Sequence, residues 1–169
     1  MTIRTAQMSD ASSLAALSIE VWLGTYLKHG INGFFADYVL HEFTAAKMGS
    51  LISDPKQIIY VSENRDGIDG FIRVTPGTPD PVAGASNTEI STFYVQPRHH
   101  GTGIGKQLLQ TALNHCKGQK IGSVWLATNA ENSPAIGFYL ANGFTHIGET
   151  HFVIDDQQYL NNVYARQLG

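Results

Sequence analysis

Tyr94-Val95-Gln96-Pro97-Arg98-His99-His100-Gly101-Thr102-Gly103-Ile104-Gly105-Lys106 is the stretch on which the fold turns. It reads as a β-strand, a short turn, and three alternating glycines opening directly into a helix. Such a turn aims several backbone N–H groups at one point, with the partial positive charge of the helix N-terminus behind them. A phosphate or pyrophosphate is the usual occupant. A Cβ at these positions would hold an anion too far from the backbone, which is why glycine matters. Three alternating glycines exceed what a tight turn requires, so a phosphorylated ligand is expected here.

Two familiar phosphate loops do not fit. A P-loop needs Gly, four residues, then Gly-Lys-Ser/Thr. Counting back from Gly105-Lys106 puts His100 at the first glycine, and Gln107 replaces the magnesium-holding hydroxyl. A dinucleotide fingerprint needs Gly-x-Gly-x-x-Gly. From Gly101 and Gly103, its third glycine falls on Lys106.

The stretch resembles the central motif of the GNAT-type N-acetyltransferase superfamily, Arg/Gln-x-x-Gly-x-Gly/Ala after a Val-x-Pro strand end. Val95, Pro97, Gly103, Ile104, Gly105 and Lys106 match, and His100 stands at the usual Arg/Gln position. A second family motif appears as Asn132-Ser133-Pro134-Ala135-Ile136-Gly137-Phe138-Tyr139-Leu140-Ala141-Asn142-Gly143-Phe144. The opening Ile3-Arg4-x-Ala6, followed by Asp10, also looks like a family start. The resemblance is specific from about Glu89 to Phe144 and topological elsewhere.

At 169 residues the chain reads as one domain, residues 1–169, able to bury roughly 70% of its unfolded surface. Hydrophobic residues make up 43% and charged residues 15%, which suits a globular protein with a core. A net charge of −3 argues against general nucleic-acid binding, which shows a basic face. The one cysteine, Cys116, excludes an intrachain disulfide and fits a reducing compartment. Ile104, Leu108, Ala112 and Leu113 share its helical stripe, so it reads as core. No signal-peptide pattern and no membrane-length apolar run is legible, so the expected location is cytoplasmic. No metal site is expected, because no His-x-x-x-His pair occurs and His99-His100 would point apart.

Along the chain, residues 2–6 read as a strand, and Ser9 and Asp10 offer N-cap chemistry for a helix to about Leu27. Helices follow at 34–40 and 44–53, then strands at 57–62 and 68–74 joined by a hairpin turn. Residues 76–87 read as a Gly/Pro-rich surface loop. The second half alternates: strand 88–95, helix 103–117, strand 121–127, a helix capped by Ser133 with Pro134 in its first turn, and strands 144–154 and 158–167. Short strands followed by βαβα give an α/β (α+β) class with a mixed sheet and helices on both faces. The resemblance implies the mostly antiparallel GNAT sheet.

Acetyl transfer to an amine needs a neutral amine, a polarised thioester carbonyl and a proton for the departing thiolate. A lysine-like amine of pKa about 10.4 is neutral about once in 2,500 molecules at pH 7, so supplying it costs on the order of 4–5 kcal/mol. The resemblance implies acetyl-CoA as co-substrate and direct transfer between bound substrates, with no nucleophilic side chain. It makes Tyr139 the acid for the coenzyme sulfur and Glu89 the base acting through water, though an ordinary strand glutamate fits Glu89 equally well. It places the pantetheine arm on main-chain groups of Phe93, Tyr94 and Val95 and on Asn132, and the pyrophosphate on His100, Gly101, Thr102, Gly103, Ile104, Gly105 and Lys106. Packing and helix-start roles are the alternatives for Tyr139 and Asn132. Trp22, Tyr26 and Phe34 fall where the family walls its acceptor pocket, and core packing is the alternative for them.

The expected activity is that of an N-acetyltransferase acting on a small cationic amine rather than a protein or nucleic acid. Asp37 and Glu42, with Glu149, Asp155 and Asp156, motivate that choice of acceptor. A non-catalytic acyl-CoA-binding module is the second reading, which turnover with amines would separate from the first. A homodimer is among the assemblies left open.

Overall fold

The chain alternates β-branched runs with amphipathic stretches, and a computed structural model describes all of it, residues 1–169. The strands are β1 (Thr2–Thr5), β2 (Ile58–Asn64), β3 (Gly67–Pro76), β4 (Thr88–Val95), β5 (Ser123–Asn129), β6 (Thr145–Ile154) and β7 (Gln157–Gln167). They form a seven-stranded sheet in the order β1-β2-β3-β4-β5-β7-β6. Antiparallel pairing joins β1 to β2, β5 to β7 and β6 to β7, whereas β4 and β5 run parallel. The helices are α1 (Ala11–Tyr26), α2 (Gly33–Glu42), α3 (Ala45–Ser53), α4 (Ile104–Gly118) and α5 (Ser133–Ala141). The mixed α/β class and mostly antiparallel sheet expected from the sequence are therefore observed. Two compact units divide the chain, one of Met1–Arg73 with Thr92–Ala112, the other of Val74–Ser91 with Leu113–Gly169.

In the first unit, helices cover both faces of β3. On one face Phe71 meets Leu14 and Leu17 of α1 and Met48 of α3. Each such side chain taken from water stabilises by about 1.5–3 kcal/mol. On the other face a Cβ at Gly70 would stand 3.1 Å from Leu108 of α4 and 3.0 Å from the Tyr94 carbonyl, so glycine lets helix and strands close up. The helix starts follow cap chemistry: Asn32 accepts from the Phe35 N–H and Thr44 from the Lys47 N–H. Asp10 stands at the N-cap of α1 as expected, but its side chain makes no capping hydrogen bond to that helix. A 3₁₀ turn at Met8–Asp10 comes first, and the Asp10 carboxylate takes the Gln7 N–H at 2.7 Å and the Arg4 guanidinium at 2.8 and 3.0 Å. The Arg4 hydrogen bond holds that carboxyl below its usual pKa.

In the second unit, β5, β7 and β6 form an antiparallel run with a register shift between His146 and Gly148. A Cβ at Gly148 would stand 2.7 Å from Val82, so this glycine seats the loop at 77–87. The loop is more ordered than its composition suggests, because Asp80, buried at 5% exposure, accepts four of its N–H groups. Cys116 is fully buried on α4, as its apolar stripe requires, and burial pushes its thiol pKa up.

Candidate active site

The glycine turn is built from the end of β4 outward. The Gln96 N–H donates to the Asp69 carbonyl at 2.9 Å, fixing the strand end, and a 3₁₀ turn at Pro97–His99 redirects the chain. The His100 ring Nε2–H donates to the Val95 carbonyl at 2.9 Å, so this departure from the usual Arg/Gln has a visible job. It ties the loop back to the strand it left. Gly101 and Gly103 take φ of 80° and 90°, where a side-chain-bearing residue is strained. The Gln107 N–H donates to the Gly103 carbonyl, so the N–H groups of Ile104, Gly105 and Lys106 precede the helical ladder and have no acceptor within it. A Cβ at Gly101 would meet nothing within 4 Å, and one at Gly103 only Gln107 Nε2 at 4.0 Å. The space around Gly101 and Gly103 is open, and the 15-residue α4 adds its dipole. These features fit a phosphate.

The second unit holds Glu89, Asn132 and Tyr139. Tyr139 is buried on α5, its ring centroid 5.6 Å from that of Phe144 and 6.4 Å from that of Tyr164. Burial raises its pKa, so the phenol keeps its proton throughout the neutral range. Asn132, rather than the expected Ser133, is the N-cap of α5: its Oδ1 accepts from the Ala135 N–H at 3.4 Å. Ser133 lies within the first turn, where its own side chain faces outward and exposed. Glu89 is half-buried on β4 and registers with Trp125 of β5. Phe93, Tyr94 and Val95 follow four to six residues further along β4.

The acceptor-wall aromatics divide. Trp22 is only 4% exposed, stacked on Tyr26 at 4.4 Å and flanked by Phe35 and Tyr38 at 5.3 and 5.0 Å. It packs within an aromatic cluster, the alternative that the sequence offered for it. Tyr26 and Phe34 stay half-buried at the rim of the same cluster. Burial first, then Glu42, pushes the neighbouring Tyr38 hydroxyl up to about 12.

Residues 25–144 match the acetyltransferase (GNAT) family, a span that contains both sequence motifs and the open glycine turn. The chain belongs to that family. As an N-acetyltransferase it has relatives across bacteria and mammals. An uncharacterized N-acetyltransferase of Mycobacterium tuberculosis is 26% identical over 95% of this chain and 99% of its own. N-acetyltransferase 8 of Rattus norvegicus is 30% identical over 66% of this chain and 50% of its own. The structure of the PaiA N-acetyltransferase of Thermoplasma acidophilum, solved with coenzyme A, superposes with a TM-score of 0.77 at 20% identity, covering 99% of both chains.

The acetyltransferase also has a feature that the sequence did not reveal. A cavity of about 420 Å³ opens in the first unit, walled by Glu42, Lys47, Asp54, Phe71, Arg73 and Thr92. Arg73 and Thr92 carried no signal, because one polar side chain in a strand ordinarily reads as surface. No helix is long and apolar enough to cross a membrane.

Proposed function

We propose that the whole chain works in the cytoplasm as one acetyl-CoA-dependent N-acetyltransferase whose acceptor is a small cationic primary amine. The observation that carries this reading is the glycine turn, with its positive-φ glycines, the open space around them and its helix-start N–H groups. The residues that would hold the coenzyme are the 101–106 backbone at the pyrophosphate and the main chain of Phe93, Tyr94 and Val95 at the pantetheine. Asn132 would add its Nδ2 donors there, since its Oδ1 already caps α5. When bound, acetyl-CoA supplies an acyl thioester whose carbonyl carbon takes the amine nitrogen as the C–S bond breaks. The Val95 N–H would be the donor that polarises that carbonyl.

Glu89 accepts, through water, the proton that the amine sheds. Tyr139 gives its hydroxyl proton to the departing sulfur, since a phenol is protonated at neutral pH as a general acid must be. His100 positions the turn through Val95. Tyr26 and Phe34 wall the acceptor site. Exposed Asp37 and Glu42 on α2 draw an ammonium group toward the first unit, while Glu149, Asp155 and Asp156 do so on the second.

The test is thiol release from acetyl-CoA across a panel of small amines, peptides and lysine-bearing proteins. Faster turnover of the small amines is expected. Preference for the macromolecules, or thiol release with none of them, would overturn the reading.

A further inference from the structure

The sheet has two edges, β1 and β6, and they are built differently. β1 has four residues, and its Arg4 is held by Asp10 and Glu63. Short length and committed charge keep an edge from pairing with another chain. β6 has ten residues, Thr145–Ile154, with no lysine, arginine or proline among them. It pairs with β7 on one side only, and no loop backbone bonds to residues 148–153.

The register of β6 on β7 decides which of its groups face outward. Ile154 and Gln157 close the two-residue turn Asp155-Asp156, with Asp155 at φ 52°, and residues closing such a turn exchange hydrogen bonds. Bonded and outward residues alternate along an antiparallel strand. Phe152, Thr150 and Gly148 therefore bond to β7 as Ile154 does, and the N–H and C=O groups of Val153, His151 and Glu149 point away from it. The side chains of these three share one face and are exposed, while Val82 lies against Gly148 on the opposite face. The register shift between His146 and Gly148 ends the regular run.

Glu149 and His151 are neighbours on that outward row, and the chain's own ion pairs use neither. An identical strand laid antiparallel along the edge, with the two-fold axis at Thr150, sets each Glu149 opposite the His151 of the other copy. Their outward N–H and C=O groups then complete the ladder between the copies. Moving the axis by one residue sets Glu149 on Glu149 or His151 on His151, so charge selects this one register.

We propose that the β6 edge is the interface of a symmetric dimer, two copies of this chain joined into one continuous sheet about Thr150. The inference does not depend on the acetyl-transfer reading. In the dimer Glu149 answers the other copy's His151, and Asp155 and Asp156 remain to draw cations.

Analytical ultracentrifugation of wild type across the micromolar range should reach twice the chain mass of 18.4 kDa. His151→Glu sets like charges opposite each other twice. It should raise the dissociation constant at least about tenfold, the scale of two cross-strand pairs turned from attraction to repulsion. Glu149→Lys combined with His151→Glu exchanges the two signs and should restore the dimer. Circular dichroism checks that each variant folds, and should His151→Glu fail to fold, a cross-link decides. Thr150→Cys should form an intermolecular disulfide under diamide oxidation, because Cα atoms about 4.5 Å apart at such an unbonded pair lie within disulfide reach. Val153→Cys, at a position 53% exposed, should not. The native Cys116 is buried and takes no part. The assignment is overturned by a monomer at every concentration, a dimer indifferent to His151→Glu, or a double variant no tighter than the single one. It is equally overturned if Thr150→Cys fails to cross-link ahead of Val153→Cys.

Discussion

The turn at 101–106 and the loop at 77–87 are both glycine-bearing connections with backbone N–H groups outside a regular hydrogen-bond ladder. They differ in what meets those groups. In the loop the anion is the chain's own: Asp80 Oδ1 accepts from Val82, Ala83 and Gly84 at 2.8–3.0 Å, and Oδ2 from Ser86 at 2.9 Å. In the turn the N–H groups of Ile104, Gly105 and Lys106 precede the helical ladder, and the space over Gly101 and Gly103 is open. The same backbone chemistry thus closes one connection and leaves the other ready for a ligand. A nest filled by an internal carboxylate spends its donors on stability. An open helix start leaves them for an anion, which is the use the proposed coenzyme site makes of them.

The largest effect separates holding the coenzyme from the chemistry done on it. Tyr139→Phe removes the hydroxyl proton and keeps the ring among Phe138, Phe144 and Tyr164. Single-turnover rates should fall about 10²–10⁴-fold while acetyl-CoA affinity changes little. An unchanged rate would make Tyr139 a packing residue.

The next effect tests the filled nest. Asp80→Ala should lower the unfolding free energy by about 1–3 kcal/mol in urea titrations, with acetyl-CoA affinity retained. Burial by itself raises the Asp80 pKa, but the N–H groups of Ser86, Ala83, Gly84 and Val82 outweigh it and hold the carboxyl at about 2. The unfolded value is about 3.9. The folded pKa is the lower one, so the contribution is whole above roughly pH 5 and is lost as pH falls toward about 2. The stability gap between wild type and Asp80→Ala should therefore narrow over that window. A gap of constant size at every pH would break the comparison at its structural half.

These two connections were unequally legible. The turn's open, positive-φ shape rests on residues adjacent in sequence, Gly101 to Lys106, so glycine alternation before an amphipathic helix was enough to expect it. The Asp80 nest uses backbone donors, which residue types do not announce, and residues 76–87 read as plain surface loop. Asn132 and Ser133 are both good caps, and only the backbone of α5 decides between them. The burial of Trp22 was not legible locally, because it depends on Phe35 and Tyr38 of α2. Arg73 and Thr92 share a cavity only because β3 and β4 are neighbours and α3 leaves space above them. Pairings between distant strands, such as β7 lying between β5 and β6, have no local signal at all.

The central claim is that the 101–106 backbone is the coenzyme's anion site, and calorimetric titration of acetyl-CoA into wild type and Gly103→Val tests it most directly. Valine at φ 90° both distorts the turn and puts side-chain carbons into the open space beside it. Affinity should fall at least tenfold, about 1.4 kcal/mol, with the circular dichroism spectrum retained. Equal affinity in a folded Gly103→Val protein would contradict the account.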